Sequence, residues 1–304
     1  MNKNNLVVLA AAGRTGTNYV MNTITSDNTY YMLGEFFNHI PWNIVWHTDL
    51  LAKMLEKNSP YVFEYKDWFK ELSLCYKRNG RTVFSENGNL LQKDMRRFIK
   101  ISNLPLFENC INFINYELNL NSVHKTFLFH TSLIDTPEND IDLETLLKHC
   151  NNLVVVYRNN ILEQYISEQK ANITNLWYIG GNIVNTETYK IRIKKSQELK
   201  LQWDKSNYVE RHKQIEGYYK ILLEIYKNYN GNKCQIEYDE LHSQKNKLEY
   251  LQEIYNKNNI DVTINTDNYK PAIKLAKDQP LEDNFSNSEE FLKDLPSIPI
   301  FFKS

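Results

Sequence analysis

The chain is poor in cysteine, with four in 304 residues. Cys75, Cys110, Cys150 and Cys234 form no C-x-x-C pair. Their wide spacing fits neither a zinc site nor a small disulfide framework. They read as isolated reduced thiols of a cytosolic protein. Long hydrophobic runs are also lacking. The apolar run at residues 6–12 is well short of the roughly 20 residues that cross a bilayer. A polar, glycine-containing loop follows it at once, which is not the layout of a secretory signal. The expectation is a soluble, cytoplasmic protein with no membrane span. Nor is there an excess of charge of one sign: 36 Lys and Arg face 37 Asp and Glu, for a net charge of -1. That balance argues against a general nucleic-acid partner. No internal repeat, low-complexity linker or metal-ligand cluster is visible, and neither G-x-x-x-x-G-K-[ST] nor G-x-G-x-x-G occurs.

What is present is enough apolar and aromatic side chain, 42% and 13% of the residues, to bury a sizeable core. Residues 6–11 are a continuous apolar run with β-branched side chains, and 152–157 form a second strong candidate for a buried strand. Such runs suit strands covered on both faces, as in a parallel sheet. The first is followed by a glycine loop and an expected helix at 18–25. The second is followed by a turn and an amphipathic helix at 161–172. Further helices are expected at 142–149, 209–229, 248–258 and 288–295, and shorter strands at 81–85, 126–129 and 233–238. Residues 30–120 are aromatic-rich and read mostly as helices and long loops, and 271–287 as a polar loop. Strands alternating with helices predict an α/β fold with a central parallel sheet flanked by helices. The chain reads as one domain, 1–304, with an aromatic-rich insertion at about 30–120.

Two segments carry chemistry. The first is Ala11-Ala12-Gly13-Arg14-Thr15-Gly16-Thr17-Asn18-Tyr19. A helix N-terminus offers unpaired N–H groups and partial positive charge. Glycines let the backbone wrap close to an anion, Arg14 adds a charged donor fork, and Thr15 and Thr17 add hydroxyls. The unit suits a terminal phosphate, although an ordinary strand-to-helix turn has the same look. The second segment places Arg158 at the end of a buried strand and Ser167 two turns into the next helix. Ligands of open α/β sheets bind beyond the carboxyl ends of the strands. One nucleotide can therefore touch both segments if the two strands are parallel. Taken alone, Arg158 is equally a strand-end arginine paired to a carboxylate.

Together the two segments resemble the PAPS-dependent sulfotransferases, whose donor is 3′-phosphoadenosine 5′-phosphosulfate. That family has a loop [KR]-[ST]-G-T-[TN]-[WY] after its first strand, and Arg14-Thr15-Gly16-Thr17-Asn18-Tyr19 matches all six positions. Its second motif is similar to Arg158, Asn159 and Ser167. The spacing Arg158-x-Asn160-Ile161-Leu162-Glu163-Gln164-x-x-Ser167 looks most like the bacterial branch that includes trehalose sulfotransferases. Leu33-Gly34-Glu35-Phe36-Phe37, Tyr238-Asp239-Glu240-Leu241 and the stretch from Lys277 to Glu290 are similar to further elements of that branch. Tyr157 stands where many bacterial members carry a second arginine, and the animal R-K-G-x-x-G-D-W-K element is absent.

The resemblance implies a P-loop-like three-layer fold and transfer of a sulfuryl group from PAPS to a hydroxyl or amine. The acceptor is expected to be a small molecule or carbohydrate. The product nucleotide is adenosine 3′,5′-bisphosphate (PAP), and no metal is expected. Gly13, Arg14, Thr15, Gly16, Thr17 and Asn18 would hold the 5′ end of the donor, with Arg14 at the leaving oxygen. Arg158 and Ser167 would hold the 3′-phosphate, and Lys277 would add a cofactor contact. Glu35 is the first candidate base, with His39 and His130 as alternatives. Phe36, Phe37, Trp42, Trp46, Trp177 and Tyr178 are candidates for an acceptor wall. Two other readings stay open: a P-loop-type small-molecule kinase, and a non-catalytic nucleotide binder of the same fold.

Overall fold

A computed structural model describes residues 6–27, 30–34, 126–132, 147–148, 150–174, 176, 187–269 and 279–302. Its strands are β1 (Leu6–Ala11), β2 (Tyr30–Gly34), β3 (Thr126–Ser132), β4 (Asn152–Tyr157) and β5 (Asn232–Glu237). Its α-helices are α1 (Thr17–Ser26), α2 (Ile161–Thr174), α3 (Glu187–Glu198), α4 (Lys205–Asn228), α5 (Tyr238–Ser243), α6 (Lys247–Lys257) and α7 (Ser288–Asp294). The chain divides into two compact units, Met1–Val8 with Thr29–Asn151, and Leu9–Asn28 with Asn152–Ser304.

In the first unit β2 and β3 pair in parallel, Tyr30 opposite Thr126 and Met32 opposite Leu128. Strand β2 stands at the start of the stretch 30–120, which reads mostly as helices and long loops, and is not among the expected strands. Its partner lies far along the chain, so no local pattern marks it. The expected strand at 81–85 and nearly all of the expected helix at 142–149 lie outside the described residues.

In the second unit, which takes in residues 9–11 of β1, β4 lies between that part of β1 and β5. Strands β4 and β5 are parallel and in register from Asn152 opposite Asn232 to Tyr157 opposite Glu237. The fold is mixed α/β, with a small three-stranded parallel sheet flanked by helices. Val7 to Ala12 and Leu153 to Val156 are fully buried, as continuous apolar strands require. Helix α1 begins on Gly16 and buries Val20, Met21 and Ile24 at helical spacing. Helix α4 is capped by the Asp204 side chain, which accepts from the Asn207 N–H. It turns Tyr208, His212, Ile215, Tyr219 and Leu222 inward.

The expected polar loop at 271–287 is described only from residue 279. There it holds a 3-10 turn, Leu281–Asn284, and the fully buried ring of Phe285. Trp203 meets Phe285 at 5.2 Å and Phe291 at 5.1 Å, both edge-on. Each such pair contributes about 0.5–1.5 kcal/mol beyond area burial. This cluster ties the carboxyl-terminal segment to the start of α4. Further on, the Phe302 N–H donates to the Asn159 carbonyl at 2.9 Å, and the Ile161 N–H to the Ile300 carbonyl at 3.0 Å. The turn between β4 and α2 is therefore held from outside.

Cys150 and Cys234 are buried. Burial pushes both thiols up, Cys234 to about 12, so neither is a ready nucleophile. Among the described residues no helix is long and apolar enough to cross a membrane.

Candidate functional site

The site is built on the second unit, where the loop after β1 meets the turn after β4. The loop is set by two residues in the left-handed region, Arg14 at φ 65° and Gly16 at φ 76°. Left-handed residues in a short loop give the backbone geometry of an anion-binding nest. A side chain rarely adopts that conformation, so Arg14 is an outlier of the kind that clusters at functional sites. Thr15 is fully buried, and its hydroxyl donates to the Ala12 carbonyl at 2.9 Å. Thr15 thus closes the loop on itself. At Gly16 a methyl group would lie 2.0 Å from the Tyr238 ring, so the loop rests directly on that ring. At Gly13 a methyl group would meet nothing within 4 Å. Among the described residues that side of the loop is open.

Helix α2 presents successive turns to this loop. Gln164 Nε2 donates to the Gly13 carbonyl at 2.7 Å. One turn later, Arg14 Nε donates to Ser167 Oγ at 3.0 Å, across 153 positions of sequence. The two motifs therefore meet through side chains. Tyr219 joins them to the sheet: its hydroxyl donates to Gln164 Oε1 at 2.7 Å and accepts from the Arg158 N–H at 3.1 Å. Burial lowers the pKa of the Arg14 guanidinium from its usual value. The Glu168 carboxylate opposes this, and the Arg158 guanidinium adds to it.

Arg158 is 8% exposed and held by carboxylates. Its Nε donates to Asp239 Oδ1 at 2.9 Å, and its terminal nitrogen pairs with Glu163 Oε2. Its guanidinium lies over the Tyr238 ring, 5.0 Å from the centroid. The neighbouring backbone is fixed as well. The Asn159 N–H donates to Glu237 Oε1 at 2.9 Å, and the Asn160 N–H to Asp239 Oδ2 at 3.0 Å. Asn160 Oδ1 accepts from the Glu163 N–H and so caps α2. Beside Ser167, Glu168 pairs with Arg211 of α4 through two hydrogen bonds, one of 3.0 Å and one of 2.5 Å. Among the described residues no cluster of three or more His, Cys, Asp or Glu is arranged to hold a metal ion.

Of the sequence-predicted residues, Gly13, Arg14, Thr15, Gly16, Thr17 and Asn18 form the loop and the first turn of α1. Arg158 and Ser167 lie at the end of β4 and on α2. His130 belongs to β3. Glu35, His39 and Lys277 lie outside the described residues, as do Phe36, Phe37, Trp42, Trp46, Trp177 and Tyr178. Sequence reasoning missed Gln164 as a brace of the loop and Tyr238 as its floor. It also missed Glu163, Asp239, Glu168 and Arg211 as the charges around the arginines. Tyr238 and Asp239 stood in a quoted motif, but nothing local said that they face Gly16 and Arg158. Compared with protein-family models, curated proteins and solved structures, the chain matches none of them.

Proposed function

We propose that the second unit binds a nucleotide phosphorylated at both 3′ and 5′ positions, and that the chain transfers a sulfuryl group from PAPS to an acceptor hydroxyl or amine. The observation that carries this reading is the hydrogen bond from Arg14 to Ser167. It joins a glycine loop at a helix start to the partner motif expected to hold a second phosphate. The open side of the loop at Gly13 leaves room for an anion, and the donor set around it consists of Arg14, a threonine-rich helix start and Ser167. The finer fold reading, the P-loop-like three-layer arrangement of sulfotransferases, belongs to this proposal.

In this reading Arg14 and the N–H groups of residues 15–18 take the charge that develops on the leaving oxygen. Arg158 and Ser167 hold the 3′-phosphate and so fix the donor in line with the acceptor. The sulfur–oxygen bond to the nucleotide phosphate breaks as the bond to the acceptor forms. PAP leaves, and the acceptor proton passes to a base, for which Glu35 is the first candidate and His39 and His130 the alternatives. The acceptor class is a small molecule or carbohydrate.

The first test is thermal unfolding with PAP, adenosine 5′-monophosphate and ATP at equal concentration. PAP is expected to raise the midpoint most. Protection by ATP and not by PAP overturns the reading and favours a kinase. Transfer of label from PAPS to a panel of sugars and phenols then separates an enzyme from a binder that releases no product.

A further inference from the structure

The arginines of the site already stand among carboxylates. Arg158 pairs with Glu163 and Asp239, Arg211 pairs with Glu168, and Glu237 accepts from the Asn159 N–H beside them. A dianionic phosphate brought to Arg158 competes with these carboxylates for the guanidinium and is repelled by them. Arg158 is the point of conflict: its side chain is 10% exposed, and Asp239 and Glu163 each take one of its donors and bring a negative charge against it. The two carboxylates are not held alike. Asp239 lies in the first turn of α5, accepts from Arg158 and the Asn160 N–H, and has a side chain 32% exposed. Glu163 has a side chain 45% exposed, and its other hydrogen-bond partner is the Asn160 side chain.

We infer that Glu163 is an exchangeable counter-ion, which occupies Arg158 until the 3′-phosphate of the nucleotide takes its place, while Asp239 keeps the guanidinium in position. Glu163 swings to solvent at little cost, being half-exposed already, and Asp239 does not. The device makes the site selective by charge. A dianion competes with the carboxylate where a neutral ribose hydroxyl does not, so Glu163 acts as a specificity-determining residue of the site proposed above. The inference rests on that proposal.

The test is calorimetric binding of PAP and of adenosine 5′-monophosphate to the full chain, native and with Glu163→Gln or Glu163→Ala. Removing the competing charge is expected to tighten PAP binding by about three- to tenfold, the range for one partly exposed charged hydrogen bond. Binding of the monophosphate, which has no 3′-phosphate to meet Arg158, is expected to stay within about twofold. If native protein prefers PAP to the monophosphate but both variants bind PAP equally or more weakly, Glu163 is a fixed support and the inference fails while the nucleotide reading stands. Equal weakness towards both nucleotides in all three proteins overturns the nucleotide reading itself. Urea unfolding of each variant confirms the fold. Should Glu163→Ala be destabilised through its contact with Asn160, Glu163→Gln retains a side-chain oxygen for that contact and decides the matter.

Discussion

Two glycines of one loop differ in what they are for. Gly16 sits at φ 76° with the Tyr238 ring against its α-carbon. Gly16→Ala therefore meets a left-handed penalty of about 1–2 kcal/mol and a collision on top of it. The expected result is a fall in urea-unfolding stability of at least that amount, with loss of nucleotide binding. Among the described residues nothing lies where a side chain at Gly13 would go. Gly13→Ala is expected to leave stability within about 0.5–1 kcal/mol and yet to weaken nucleotide binding. Equal destabilisation by both substitutions would contradict this division of roles. The sequence marks both positions alike. Only the packing of a ring some 220 residues onward, at Tyr238, tells them apart.

At the scale of elements, α2 and α4 carry the burden of holding the loop. Helix α2 supplies Gln164 and Ser167, and α4 supplies Tyr219, Arg211 and Tyr218, whose hydroxyl donates to the Ala11 carbonyl at 3.3 Å. Their amphipathic patterns were legible, so the helices were expected within a few residues of their observed ends. Which polar residues on them face the loop was not legible, because a helix pattern gives a face and not a neighbour. His212 of α4 illustrates the difference. A lone histidine in a helix pattern has no distinguishing mark; in the fold it is 4% exposed, and its Nε2 finds no hydrogen-bond partner among the described residues. Burial lowers its pKa below the ordinary 6.5, with Glu216 opposing. A histidine depressed on folding adds stability that is present above its unfolded pKa and lost as pH falls through its folded pKa. Stability is thus expected to fall as pH is lowered below about 6.5. His212→Phe, which cannot titrate, should flatten that slope in urea unfolding at pH 7 and pH 5.

A second element-scale contact ties α2 to the carboxyl-terminal segment. The Lys170 ammonium, 3% exposed, donates to Asn284 Oδ1 at 2.9 Å. Asn284→Ala removes an acceptor from a buried charge and is expected to cost about 1.5–3 kcal/mol. Thermal unfolding checks it; a change below half of that range would show that the contact is replaceable.

For the molecule as a whole, the end of the described chain is part of the site's support. Phe302 is 5% exposed, packs on Tyr219 at 5.6 Å between centroids, and donates its N–H to Asn159. Phe302→Ala removes a large ring from the core beneath the β4–α2 turn. It is expected to cost about 3–5 kcal/mol and to weaken PAP binding, since Arg158 rides on that turn. Calorimetry and urea unfolding together check this; full affinity at reduced stability would separate the chain end from the site.

What the sequence determined by itself was local: two buried strands, the glycine loop, the helices after them, and the residue types of two anion motifs. These follow from periodicity and from the backbone freedom of glycine, which act between near neighbours. Tertiary structure decided the rest. It paired Tyr30–Gly34 as a strand with a distant partner, set Tyr238 beneath Gly16, joined Arg14 to Ser167, and gave Arg158 two carboxylate neighbours. Contacts of that kind depend on which chain segments packing brings together. A charge reads the same in sequence whether it meets solvent, a carboxylate or a phosphate.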